Sequence, residues 1–162
     1  MEANKTHHII LRPKKEESLR RFHPWVFSGA IAHLPQGIQE GDVVKVFSAG
    51  NEFLGVGHYQ IGSISVRILS FTDEAIDVDF YIRRISSAYN MRTEIGLLRA
   101  DNNTFRLIHG EGDFLPGLIV DLYGKTAVVQ AHSVGMDADK GKIVAALQQV
   151  LGKENLENIY YK

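Results

Sequence analysis

The sequence has no cysteine, one tryptophan and only four prolines in 162 residues. Without cysteine there can be no disulfide framework, no thiolate metal site and no cysteine nucleophile. Long apolar runs are missing as well, and none approaches the ~20 residues that a membrane-spanning helix needs. The opening stretch, MEANKTHHII, is polar and lacks the apolar segment of a secretory signal. A cytoplasmic protein with no membrane partner is expected. A surplus of charge is also lacking. The formal net charge of -1 excludes a chain that is strongly basic as a whole.

The charge that is present is uneven. Arg12, Lys14, Lys15, Arg20, Arg21 and His23 crowd one early segment, opposed there only by Glu16 and Glu17. Its plain reading is a solvated face, and its functional reading is contact with RNA phosphates. Trp25, beside it, could stack on a base, but between Pro24 and Val26-Phe27 core packing is the favoured expectation. The pair His7-His8 is no metal site, because neighbours on a strand point to opposite faces.

No internal repeat or low-complexity segment is found. The first half reads as short strands: His7–Leu11, Trp25–Ile31, Asp42–Ser48 (doubly buried by its apolar run), Phe53–Tyr59 and Ser63–Phe71. A short helical turn is expected around Lys15–Arg21, and a tight hairpin at Ala49-Gly50-Asn51. Gly55 and Gly57 inside a strand imply a bulge or a close backbone approach. Together these elements predict a small β-barrel.

The pattern then changes. Asp77 is suited to cap a helix reaching about Leu98, with Val78, Ile82, Ile85, Tyr89 and Ile95 on its apolar stripe and Arg83, Arg84 and Arg92 off it. The polar run 99–104 reads as a domain boundary. Strands at Phe105–His109, Leu118–Leu122 and Thr126–Ala131 follow. A second helix is expected, capped by Asp137, apolar through Ile143, Val144, Leu147, Val150 and Leu151, and stopped by Gly152. The last residues, 158–162, begin a strand for which no partner is evident, so the chain reads as cut.

One stretch bears on catalysis: RLIHGEGDFLPGLIVDLYG, residues 106–124. A phosphate-cradling loop should lead into a helix, but this one carries two carboxylates and leads into a strand. Glu111, Asp113 and Asp121 could form the acid/base set of a small hydrolase. A structural turn is the better reading, with Pro116 and Gly117 at the central positions of a type II turn.

This stretch, with RRFHPWVFSGAI and GDVVKVFSAGNEFLGVGHYQIGSISVRIL before it, resembles the N-terminal part of the RlmI-like (YccW-like) S-adenosylmethionine-dependent methyltransferases of large-subunit ribosomal RNA. The resemblance covers nearly all of the chain. It implies a mixed α+β fold: a PUA-like RNA-binding barrel over 1–75, a linking helix over 76–99, and an incomplete β-β-α-β(-β) middle domain over 100–162. It also implies an RNA partner, 23S rRNA, and an RNA face made of Arg12, Lys14, Lys15, Arg20, Arg21, His23, Ser28 and Gly29, with Tyr59 and Arg67 on barrel strands. Arg83 and Arg84 are either helix surface or part of a groove shared with the absent catalytic domain.

S-adenosylmethionine is the cofactor expected of the full-length parent. No Gly-rich nucleotide loop is recognisable in this sequence, so neither cofactor binding nor catalysis is expected of the chain alone. Homodimerisation through the last strand is a further expectation. The rivals are the hydrolase and a protein-interaction adaptor in ribosome assembly, the latter requiring an exposed apolar patch.

Overall fold

The computed structural model describes residues 6–162, which divide into two compact units between Ala75 and Ile76. The first unit is a six-stranded sheet curled about one core. Its strands are β1 (His7–Leu11), β2 (Trp25–Phe27), β3 (Ile31–His33), β4 (Val43–Phe47), β5 (Phe53–Tyr59) and β6 (Ile64–Ser70), in the order β2-β6-β5-β4-β1-β3. β1 runs parallel to β4 and antiparallel to β3, and every other pairing is antiparallel. Ile9, Leu11, Val26, Val44, Val46, Val66 and Ile68 supply the core, joined by Leu19 from the four-residue helix α1 (Glu17–Arg20).

Three local readings change here. The expected strand 25–31 is broken by a 3-10 turn at Ser28–Ala30, after which β3 takes a new partner. β4 is not doubly buried: Val44 and Val46 enter the core, while Lys45 turns outward to an ion pair with Asp73 at 2.6 Å. β5 is the strand buried on both faces. It can be because the β5–β6 register shifts at Gly57, where a Cβ would lie 2.0 Å from the Arg67 carbonyl oxygen. The close approach expected of that glycine is what the backbone shows.

The second unit is a two-layer α/β arrangement. Helix α2 (Val78–Glu94) is capped by Asp77, whose carboxylate accepts from the Phe80 amide at 2.9 Å. Strands β7 (Thr104–His109), β8 (Leu118–Tyr123) and β9 (Thr126–Ala131) form an antiparallel meander. The chain then crosses through α3 (Val134–Ala138) and α4 (Lys140–Asn155) to β10 (Asn158–Tyr161), which lies parallel to β9. The strand expected to lack a partner therefore has one. α2 packs against α4 and β7, so the helix expected to link two domains belongs to the core of the second.

The stripe read for α2 is also shifted. Phe80, Tyr81, Ile85, Ala88 and Arg92 face inward, whereas Ile95 is 62% exposed. Hydrophobic spacing could not anticipate an inward arginine. Nor does Asp137 cap the second helix: Ser133 caps α3, accepting from the Met136 amide at 3.3 Å, and Asp137 lies inside that short helix. Gly152 does interrupt α4, at φ 68°.

Candidate nucleic-acid interface

The basic segment wraps α1 and the loop leading into it. Arg12 anchors that loop: its amide donates to the Ala30 carbonyl at 2.8 Å and its Nε to the Ile31 carbonyl at 3.1 Å. Lys14 follows in the left-handed region at φ 64°. Arg20 pairs with Glu52 at 2.5 Å and Arg21 with Glu17 at 2.6 Å, both at the surface. Lys14 and Lys15 make no ion pair with another described residue. All six basic residues of the segment are thus exposed together on one short stretch, two of them already partly neutralised.

Beside α1 lies a cleft of about 310 Å³, lined by Lys15, Ser18, Trp25, Phe27 and Gly29 above an apolar floor of Leu11, Leu19 and Val26. Trp25 is only half-buried, contrary to the expected core position; its neighbour Val26 fills the core instead. The tryptophan ring stands edge-on to His23 at 5.4 Å and to Phe27 at 6.3 Å. His23 is held by its own backbone neighbourhood, its Nδ1 accepting from the Trp25 amide at 3.3 Å. Ser28 and Gly29 are exposed on the 3-10 turn, and a Cβ at Gly29 would meet nothing within 4 Å. Packing therefore does not demand glycine there.

Two of the sequence-read residues stand apart. Tyr59 is buried at 7% exposure and belongs to the core, so its ring is unavailable to a ligand. Arg67 sits opposite Trp25 in the β2–β6 register, half-buried, donating to Gln60 Oε1 at 3.3 Å.

The sequence reading missed Phe22 and Phe27, which are 72% and 48% exposed. Phe22 ends α1 in the left-handed region at φ 60°, a position that normally takes glycine or asparagine. The available signal was RRFHP: Pro24 forces the helix to stop, and no glycine is there to stop it.

The acidic turn of the second unit resolves as structure. Arg92 makes a two-pronged buried ion pair with Asp113, which also accepts from the His109 amide at 2.6 Å. Asp121 pairs with Arg106 across β7 and β8 at 2.7 and 3.1 Å. Hydrogen bonding to Asp121 raises the Arg106 guanidinium above its ordinary pKa, with the carboxylate's charge adding to it. Both carboxylates are engaged, so they do not converge as a hydrolytic pair. Gly117, at φ 87°, and the bond from the Leu118 amide to the Leu115 carbonyl at 3.0 Å make the expected type II turn.

The crossover from β9 to β10 offers no seat for S-adenosylmethionine. A nucleotide in a parallel crossover sits at the end of the first strand, against the following helix. Here that place, after β9, is filled: the His132 amide donates to the Gly117 carbonyl at 2.7 Å, and Ser133 and Met136 are buried. Among the described residues no group of three or more acidic or histidine side chains is placed to hold a metal. No helix among them is long and apolar enough to cross a membrane.

Residues 9–71 match the family model described as a PUA-like domain. The first unit is a PUA-like domain. Over 145 residues the chain is 41% identical to ribosomal RNA large subunit methyltransferase I of Alteromonas mediterranea, covering 88% of this chain and 36% of that protein. The enzyme of the same name from Erwinia tasmaniensis is 38% identical over 87% of the chain, again 36% of its own length. The Escherichia coli protein is 35% identical over 86%.

The RlmI-like resemblance read from the motifs is thus present, and the chain spans about a third of the length of these relatives. A structure described as a SAM-dependent methyltransferase from Streptococcus mutans shares the fold at a TM-score of 0.81 and 21% identity, covering 97% of this chain and 40% of that one. A second methyltransferase structure, complexed with SAH, matches equally. The basic segment, the cleft, Trp25, Phe22 and Phe27 all lie on the PUA-like domain.

Proposed function

We propose that the PUA-like domain binds large-subunit ribosomal RNA, 23S in a bacterium, and presents it to an S-adenosylmethionine-dependent catalytic domain outside this chain. The observation that carries this reading is the exposed basic segment around α1, adjoining a cleft edged by Trp25 and Phe27. Lys14, Lys15, Arg20, Arg21 and Arg12 would neutralise phosphates, a sequence-independent attraction. Gly29 lines the cleft next to exposed Ser28, and its backbone, free of a side chain, lets RNA approach. His23 holds the Trp25 edge, and Arg67 supports the same register from β6. The relatives' names supply the rRNA and the methyl transfer; the basic surface supplies the means of binding.

The chain works in the cytoplasm on this reading, and its catalytic contribution is to position RNA. Ultraviolet cross-linking of the chain to 23S rRNA tests it. Cross-linked peptides should include residues 12–29, and cross-links confined to the second unit would contradict the assignment.

A further inference from the structure

The GEGDFLPG stretch carries a feature that a structural turn does not require. Asp113 and Leu115 both point inward, and Phe114 between them is 64% exposed. It adopts the left-handed region at φ 58°, which is a rare and strained conformation for a bulky residue. The surroundings enforce it. The Phe114 amide donates to the Glu111 carbonyl at 3.1 Å and the Leu115 amide to the Gly110 carbonyl at 3.0 Å. Asp113 is clamped by Arg92 and by the His109 amide. A glycine at 114 would satisfy the same turn without strain. Phenylalanine there displays a ring instead.

That ring has a cation against it. The Arg84 guanidinium carbon lies 5.4 Å from the Phe114 centroid and 5.2 Å from that of buried Phe80. Phe80 holds the guanidinium from within, and Phe114 meets it from the solvent side. Arg83 is exposed one residue earlier on α2, and His109 packs against Gly112 in the turn. The turn's own neighbours, Glu111 and Gly112, are exposed and not apolar, so within the turn the ring is flanked by polar surface and not by the broad apolar patch a protein interface needs. An isolated aromatic ring backed by guanidinium is the surface on which RNA-binding proteins stack an unpaired base.

We propose that Phe114, backed by Arg84, is a stacking platform for an unpaired RNA base, a second RNA contact outside the PUA-like domain. The proposal rests on the RNA-binding reading above, and its test separates the two. The full chain is titrated with a labelled hairpin from large-subunit rRNA carrying an unpaired loop, and with a fully paired duplex of equal length. Phe114→Ala should weaken hairpin binding about tenfold and leave duplex binding within about twofold, as loss of one stacked base requires. Phe114→Trp should retain hairpin affinity. Phe114→Gly should lose affinity while raising the thermal midpoint, an outcome that a merely structural role for the ring excludes.

Unchanged hairpin affinity in Phe114→Ala, with binding still abolished by charge reversal at Lys14, Lys15, Arg20 and Arg21, overturns this proposal alone and leaves the ring to a protein partner. Equal losses on hairpin and duplex overturn stacking as well. Absence of RNA binding by the unmodified chain overturns both readings.

Discussion

Arg92 and Asp113 are joined by two parallel hydrogen bonds in the interior of the second unit, the carboxylate's side chain being 2% exposed. The pair ties α2 to the turn after β7, and Arg92 Nε adds a bond to the Arg106 carbonyl at 3.2 Å. Removing one partner of such a pair leaves a buried charge without compensation. Asp113→Asn should therefore lower stability by about 3 kcal/mol. Thermal unfolding checks this, and the double change Arg92→Met with Asp113→Leu should recover most of the loss.

Two glycines of the PUA-like domain should behave oppositely. A Cβ at Gly57 would sit 2.0 Å from the Arg67 carbonyl oxygen, so strand β5 or β6 must move to admit it. Gly57→Ala should cost about 3 kcal/mol, at the upper end of overpacking effects. At Gly29 nothing lies within 4 Å, and Gly29→Ala should change stability by less than about 0.5 kcal/mol. Chemical denaturation of the two variants side by side decides the matter.

The tyrosines of the second unit link its stability to alkaline pH. Burial, with the Asp137 charge adding to it, pushes the Tyr161 phenol up to about 12 from an ordinary value of 10.0. Burial and then Asp139, which accepts its hydrogen bond at 2.7 Å, push Tyr81 up as well. A pKa raised in the folded state means that the native chain holds its protons more tightly than the unfolded one. This contribution is complete below pH 10.0 and is lost as pH rises toward about 12. Urea unfolding should show stability falling across that window. Tyr161→Phe should flatten the fall, and an unchanged slope would contradict the Tyr161 contribution.

Much of this architecture was legible in the residues. The turn chemistry of Pro116-Gly117, the Asp77 cap and the glycines of β5 each carry a backbone demand that only one local structure meets. What escaped were demands met from a distance. Arg92 looks like a surface residue by helical spacing, and only the fold brings Asp113 to it from 21 positions away. The break at Ser28–Ala30 is invisible to hydrophobic pattern, because β2 and β3 are each apolar but serve different partners. Tyr59 is expected on the RNA face with the barrel strands, but its strand is buried on both faces, which period-two alternation does not anticipate. In the candidate site the charges were legible. The exposed rings of Phe22 and Phe27 and the half-buried ring of Trp25 were not, since aromatic residues beside a short strand ordinarily fill the core.

The basic segment should not act uniformly. Arg20 and Arg21 already face Glu52 and Glu17, and exposed pairs of this kind are weak and screened by salt. Lys14→Glu with Lys15→Glu should therefore weaken RNA binding more than Arg20→Glu with Arg21→Glu. Competition binding at a fixed salt concentration ranks the two.

Central to the account is RNA binding by the PUA-like domain, and Trp25, the only tryptophan, lies in the cleft that should report it. The most direct measurement follows Trp25 fluorescence as structured large-subunit rRNA is added at a series of salt concentrations. The expected result is saturable quenching whose affinity falls with salt, with a slope of about three phosphate contacts at roughly 0.7–0.9 each. It should vanish when Lys14, Lys15, Arg20 and Arg21 are all replaced by glutamate. Equal, salt-independent affinity in the unmodified chain and the four-site variant would contradict the assignment.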